Sequence, residues 1–124
     1  MTSADAAGSD TGGLFAAIDA QDAASFVSFL TEDAVFRFGS APPVQGREQI
    51  RAAVDAFFAT IAGCRHTISN SLRSGSTLVC EGEVTYTRHD GSEITIPFAD
   101  IFEYEGDLIA DYKIYIDIAP LYAQ

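Results

Sequence analysis

IPFADIFEYEGDLIADYKIYID, residues Ile96–Asp117, reads as two strands around one turn. Aromatic and β-branched residues alternate with polar ones on either side of Gly106-Asp107, as in a hairpin. Alternation puts Ile94, Ile96, Phe98, Asp100 and Phe102 on one face of the first strand. Tyr112, Ile114 and Ile116 share a face of the second. Asp100 therefore stands in an apolar row, where a carboxylate is costly unless it is paired, hydrated or protonated. Pro97 cannot donate a ladder hydrogen bond and predicts an irregularity or bulge in its strand.

Working outward, RHTISNSLRS and TLVCEGEVTYTR are two further strands, and Asp90-Gly91 turns the second into SEITIPFADIFEYE. The first half is helical. GREQIRAAVDAFFATIAG places Ile50, Val54, Phe57, Phe58 and Ile61 on one face, pairs Arg51 with Asp55 at i,i+4, and ends at Gly63. Asp10 or Thr11 can cap a helix bearing Leu14, Phe15 and Ile18, and Asp22 can cap a second, with Phe26, Val27, Phe29 and Leu30 at helical spacing. TEDAVFRFGSAPP supplies a turn, a short strand at Ala34–Phe38 and a Gly/Ser/Pro loop. Helices followed by a run of hairpins predict an α+β fold, a curved antiparallel sheet wrapped around N-terminal helices. Residues 1–10 predict a disordered leader and residues 11–124 a single domain.

The bulk composition narrows the function. With 124 residues and 48% hydrophobic content, the chain can bury one core. A net charge of −11 and the lack of a basic stripe argue against nucleic acid and anionic membrane surfaces as partners. No apolar stretch is long enough to span a bilayer. The start has neither a basic nor an apolar signal region, and Cys64 and Cys80 form no CxxC or zinc spacing. A cytoplasmic chain with reduced thiols is the expectation. No nucleophile elbow, phosphate loop or dinucleotide fingerprint is present.

Four segments, IDAQDAASFVSFLTEDAVFRF, VQGREQIRAAVDAFF, TYTRHDGSEI and DIFEYEGDLIADYKIYID, resemble in order and spacing the SnoaL-like branch of the nuclear-transport-factor-2-like superfamily. The resemblance covers most of residues 14–120. It implies a cystatin-like cone with an internal apolar pocket, chemistry without metal or other cofactor, and a homodimer through the outer sheet face. Ketosteroid isomerases, polyketide cyclases, scytalone dehydratase and limonene epoxide hydrolase share the fold, so fold does not fix function.

Residue by residue, FADIFEYEGDLI resembles the isomerase stretch that carries a protonated oxyanion-hole aspartate, which falls on Asp100; that site is a standard case of a carboxylic acid kept neutral. The isomerase base falls on Phe38 and its tyrosine on Leu14. The epoxide hydrolase triad falls on Glu83, Thr85 and Ile114, and its water-holding pair on Phe36 and Phe38, which excludes that chemistry. IDAQD and RHTIS resemble the dehydratase segments with the active-site aspartate and histidine, here Asp19 and His66.

Each candidate carries a functional and a structural reading. Asp100 is a proton-transfer group, or a structural acid tied to His66 or to a backbone N–H. His66 is a proton shuttle oriented by a carboxylate, or a satisfied core histidine. Asp19 is that carboxylate, or the polar end of a helix. The family register turns Val79, Glu81, Glu83, Thr85 and Thr87 inward and leaves Cys80, Val84, Tyr86 and Ile101 for a dimer partner; simple alternation gives the opposite for Glu83. Tyr112 brings a phenol into the cavity, or is core with its hydroxyl at the rim. Phe36, Phe38, Phe98, Ile114 and Ile116 complete the expected pocket, Arg37 points outward, and His89 is exposed. The leading expectation is an isomerase, cyclase or dehydratase that moves protons on an apolar carbonyl compound through Asp100, His66 and Asp19. The alternative is a non-catalytic module that binds a small molecule or a second copy.

Overall fold

A computed structural model describes residues 2–123. Three helices come first, apart from one strand pair: α1 Thr2–Asp19, α2 Ala23–Val27, β1 Leu30–Phe38, β2 Val44–Gln45 and α3 Arg47–Phe58. The strands β3 Gly63–Ser74, β4 Thr77–Thr87, β5 Glu93–Glu105 and β6 Leu108–Ile116 follow, with a last turn of helix, α4 Ala119–Tyr122. The sheet order is β2-β1-β6-β5-β4-β3. The fold is therefore α+β with N-terminal helices on a six-stranded sheet.

The three hairpins read from the sequence are the antiparallel ladders β3–β4, β4–β5 and β5–β6. The expectation of a wholly antiparallel sheet is corrected at one place: β1 runs parallel to β6, with Phe36 opposite Tyr112 and Phe38 opposite Ile114. A hairpin turn announces its own pairing, but this contact, Phe36 with Tyr112, closes over more than seventy-five residues of sequence and has no local signal. Pro97 causes no register shift, since it lies beyond the last β5–β6 pair, Phe98 with Ile116. The shifts fall at Glu103/Tyr104 and at Ile68/Asn70, where Ser69 is the extra residue of a bulge. Gly82 sits opposite that bulge, and a Cβ there would collide with the Thr67 carbonyl oxygen. Only glycine lets the two backbones approach so closely, and the bulge bends the sheet over the helices.

Several helix boundaries move. The backbone runs as continuous helix from Thr2 to Asp19, so no helix starts at a cap on Asp10 or Thr11; Met1 and Gln124 lie outside the described residues. Asp22 does cap α2, accepting from Ser25 N–H at 3.1 Å, but the chain turns extended at Leu30, which opens β1 instead of closing a helix. Helix α3 stops at Phe58, five residues before Gly63. Its apolar face is as read: Ile50, Val54, Phe58 and Ile61 are buried, and Arg51 pairs with Asp55 at 3.8 Å on the exposed side. These side chains meet Leu14 and Phe15 of α1 and the inner face of the sheet in one core.

Candidate active site

The strand register decides which side chains enter the cone. On β4 the inward positions are Leu78, Cys80, Val84 and Tyr86, all buried. Glu83 and Glu81 are exposed on the outer face, so Glu83 is not a pocket residue. Cys80, Val84 and Tyr86 are not available to a dimer partner. Both corrections have one cause: simple alternation holds along β4, and burying four apolar side chains outweighs the family register. Ile101 does lie outward, opposite Val79.

Between the helices and this inner face lies a cavity of about 210 Å³. Phe36, Phe38, Phe98, Ile114, Ile116 and Tyr112 line it as expected, together with Asp100 and His66. Tyr86 lines it too. The alternation of TLVCEGEVTYTR carried the signal for Tyr86, which the resemblance had placed outside.

Asp100 is 2% exposed. On β5 it stands opposite Cys80 on one side and Ile114 on the other. Its side chain takes one hydrogen bond, from the Tyr112 hydroxyl, while Oδ1 is buried without a partner. Neither His66 nor a backbone N–H satisfies it; its one partner is Tyr112. Burial pushes its carboxyl well above the ordinary carboxylate range, against the smaller pull of Tyr112. Tyr112 is fixed by rings on three sides, Phe102 at 4.6 Å, Phe36 at 5.2 Å and Phe26 at 5.8 Å between centroids. Its phenol is itself pushed up, by burial and then by the neighbouring Asp100. The cavity thus has a carboxylic acid held toward its neutral form, with one buried oxygen that no side chain or backbone group pairs.

Asp19 and His66 meet as the sequence suggested. The His66 Nδ1 lies 2.6 Å from Asp19 Oδ1, and the backbone N–H of His66 donates to Asp19 Oδ2 at 3.1 Å. The imidazole packs between Phe15 and Phe98, at 5.0 and 5.3 Å between centroids. Asp19 is the last residue of α1, where the helix dipole disfavours an anion. Its place is therefore explained by what it holds and not by local helix preference. Among the described residues Nε2 has no hydrogen-bond partner, so the tautomer that protonates Nδ1 leaves a basic nitrogen at the cavity wall.

Cys64 completes this corner. Its thiol donates to the Ile18 carbonyl at 3.4 Å and lies 3.8 Å from Asp19 Oδ1. Burial, then the Asp19 charge, push it up to about 12. Asp19, Cys64 and His66 are the group among the described residues whose ligand atoms, within 4.8 Å of one another, can hold a metal. The protonated thiol and the bond already joining Nδ1 to Oδ1 both oppose that use.

His66 and Asp100 are not neighbours. Their β4 partners, Val84 and Cys80, are four residues apart, about 13 Å along a strand. They do not converge on one water; they face one cavity from separate positions.

The sequence matches a known family. A SnoaL-like domain model covers residues 12–112, and the chain belongs to that family. No curated protein matches at a significant level. An NTF2-like protein of unknown function from Burkholderia pseudomallei K96243 is 17% identical, covering 91% of this chain and 92% of that one with a TM-score of 0.82. A protein with a ketosteroid isomerase-like fold from Catenulispora acidiphila, solved in complex with trimethylamine, is 18% identical over 86% and 83% with a TM-score of 0.79. An LEH-like epoxide hydrolase of M. tuberculosis is 13% identical over 91% and 84% with a TM-score of 0.76. At such identities the likeness is one of fold. Among the described residues, no helix is long and apolar enough to cross a membrane.

Proposed function

We propose that this chain is a cofactor-independent enzyme that moves protons on a small apolar carbonyl compound, in an isomerisation, cyclisation or dehydration. One observation carries the reading: the buried, unpartnered Oδ1 of Asp100 in a cavity that also receives His66. A neutral carboxylic acid donates a hydrogen bond to a carbonyl oxygen, and that bond strengthens as the oxygen gains charge. Across the gap that separates it from Asp100, His66 Nε2 removes the proton from the carbon beside the carbonyl through one bridging water. The C–H electrons become the enol double bond, and the carbonyl π pair moves to the oxygen under Asp100. Asp19 stabilises the imidazolium at 2.6 Å. Return of that proton to another carbon gives isomerisation, and its delivery to a β-hydroxyl expels water.

The test is deuterium exchange at the α-carbon of enones and β-hydroxy ketones in D₂O, followed by proton NMR. Exchange that needs both Asp100 and His66 supports the mechanism; no exchange above buffer for any compound of these two classes rejects it.

The second reading is a non-catalytic ligand-binding module. It is favoured by Phe38 at the isomerase's base position and by the relative solved with trimethylamine. Thermal stabilisation by a ligand without exchange is its signature.

The assembly we propose is a homodimer through the outer sheet face. Leu72, Val79 and Ile101 form one row across β3, β4 and β5 there, and Leu72 is 64% exposed. A monomer mass at every concentration in sedimentation would exclude it. A reducing compartment such as the cytoplasm suits the two unpaired thiols, Cys64 and Cys80.

A further inference from the structure

We infer that the cavity takes an uncharged compound of one or two rings that presents a single hydrogen-bond acceptor to Asp100, and that it refuses four-ring skeletons and anions. The inference rests on the cavity being the ligand site of the proposed function, and it names the class of compound that site takes.

Size is the first argument. The cavity measures about 210 Å³. A cavity of about 150 Å³ holds benzene, and native packing fills about three quarters of the space, so roughly ten non-hydrogen atoms fit. A four-ring skeleton needs about twice that volume. Its outer rings would protrude past Ala41 and Pro42 at the end of β1 and lose the burial that drives apolar binding.

Charge is the second argument. No lysine or arginine lines the cavity, and the chain as a whole carries −11. A carboxylate or phosphate brought inside would lose its hydration and meet no lysine or arginine to replace it. Apart from Asp100, the His66 imidazole and the Cys64 thiol, the lining is made of phenyl, phenol and aliphatic groups, which favour a flat apolar body. Polarity is the third. Oδ1 of Asp100 is a single buried polar atom without a partner, and a ligand that pairs with it recovers a bond the free protein lacks. A compound with one acceptor does so without desolvating a second polar group that would find no partner.

The experiment is a binding panel on the full chain, read as the thermal shift against ligand concentration, with no turnover required. The probes are indanone, a bicyclic ketone of the inferred size; androstenedione, a four-ring enone; benzoate; and benzyltrimethylammonium. Indanone should raise the melting temperature in proportion to the logarithm of its concentration. Its Kd should be at least about ten-fold below those of the other three. Ile114→Phe, which narrows the cavity, should abolish the indanone shift, and Asp100→Leu should weaken it about five-fold or more.

Androstenedione binding as tightly as indanone would overturn the size limit. Benzoate binding as tightly would overturn the exclusion of anions. Tightest binding by benzyltrimethylammonium would make Asp100 a counter-ion in an aromatic cage and overturn the uncharged class. No shift with any probe would overturn the inference outright. Each of these outcomes is read without deuterium exchange, so failure of the proton-transfer mechanism remains a separate result.

Discussion

At the α1–β3 end of the cavity nearly every polar atom has a partner; at the β5 end one buried oxygen has none. Asp19 accepts from the His66 ring and from its backbone N–H, and Cys64 turns its thiol to the Ile18 carbonyl. That corner is stable as it stands, and its contacts alone would fit a purely structural role. The Asp100 corner is not: Oδ1 is buried among apolar side chains with no donor or acceptor. Leaving a buried polar group unpaired costs about 1–3 kcal/mol. A satisfied pair is weak evidence for function, and a persistent unsatisfied acid is stronger evidence. In the proposed mechanism the two ends also differ in what they supply, a base at one and a hydrogen-bond donor at the other.

The sharpest way to break this comparison is His66→Ala. If the satisfied corner supplies the base, α-proton exchange falls about 10²- to 10⁴-fold. If the variant exchanges normally and only loses stability, the corner is architectural and the two ends of the cavity do not cooperate.

Asp100→Asn comes next, because it pulls two observables apart. Exchange should fall about 10²- to 10³-fold, as expected when a preorganised donor to the developing oxyanion is weakened. Stability near neutral pH should rise, by about 1 kcal/mol or some 4 °C in melting temperature, since an acid retained for function is a cost to the fold. The sign follows from linkage. Burial raises the Asp100 carboxyl in the folded chain. Below the ordinary carboxylate value both states hold the proton. As pH rises from there toward the raised folded value, the unfolded chain releases its proton first and the native state loses stability. Asparagine has no such proton, so the variant's advantage should be larger at neutral pH than in acid, as melting curves at the two conditions would show. An equal advantage at both would mean that the Asp100 proton is not linked to folding.

Asp19→Asn sharpens the other end. An amide still fills the space and can accept from the ring, but it does not stabilise an imidazolium. Exchange should fall by about ten- to one-hundred-fold, with the fall in turnover and not in apparent affinity. A loss of affinity alone would make Asp19 a wall of the pocket and not the positioning residue of His66.

Much of this was legible in the chain, for identifiable reasons. The hairpins were marked by Gly106-Asp107 and Asp90-Gly91, and the α3 face by Ile50, Val54 and Phe58, because turns and periodicity are local signals. Asp100 was visible as a carboxylate in an apolar row. The Asp19–His66 contact, between residues 47 apart, came only from the resemblance. Two things were not legible, and a third was legible but misread. The parallel β1–β6 pairing is long-range. The orphaned Oδ1 depends on where Tyr112 and its three ring neighbours settle. The inward face of β4 was misread because a family register was set above alternation, so Glu83 was placed in the cavity and Tyr86 outside.

That misreading supplies the smallest expected effect and a strict check on the geometry of both ends. Glu83 lies exposed between Gly82 and Val84, opposite Thr67 and Pro97. Glu83→Gln should change stability by no more than about 0.5 kcal/mol, and exchange should stay within error. Tyr86→Phe should be different, because its phenol lines the cavity and packs edge-on against Phe57 at 5.6 Å. Removing that hydroxyl changes the polar inventory of the cavity without changing its shape, so ligand affinity should move while the fold does not. Both residues are on one strand, three positions apart, with opposite faces assigned. A Glu83→Gln variant that loses activity while Tyr86→Phe stays silent would mean that β4 presents its other face to the ligand. Cys80, the inward β4 partner of Asp100, would then be displaced with it, and the oxygen taken here as unsatisfied would have a different neighbourhood.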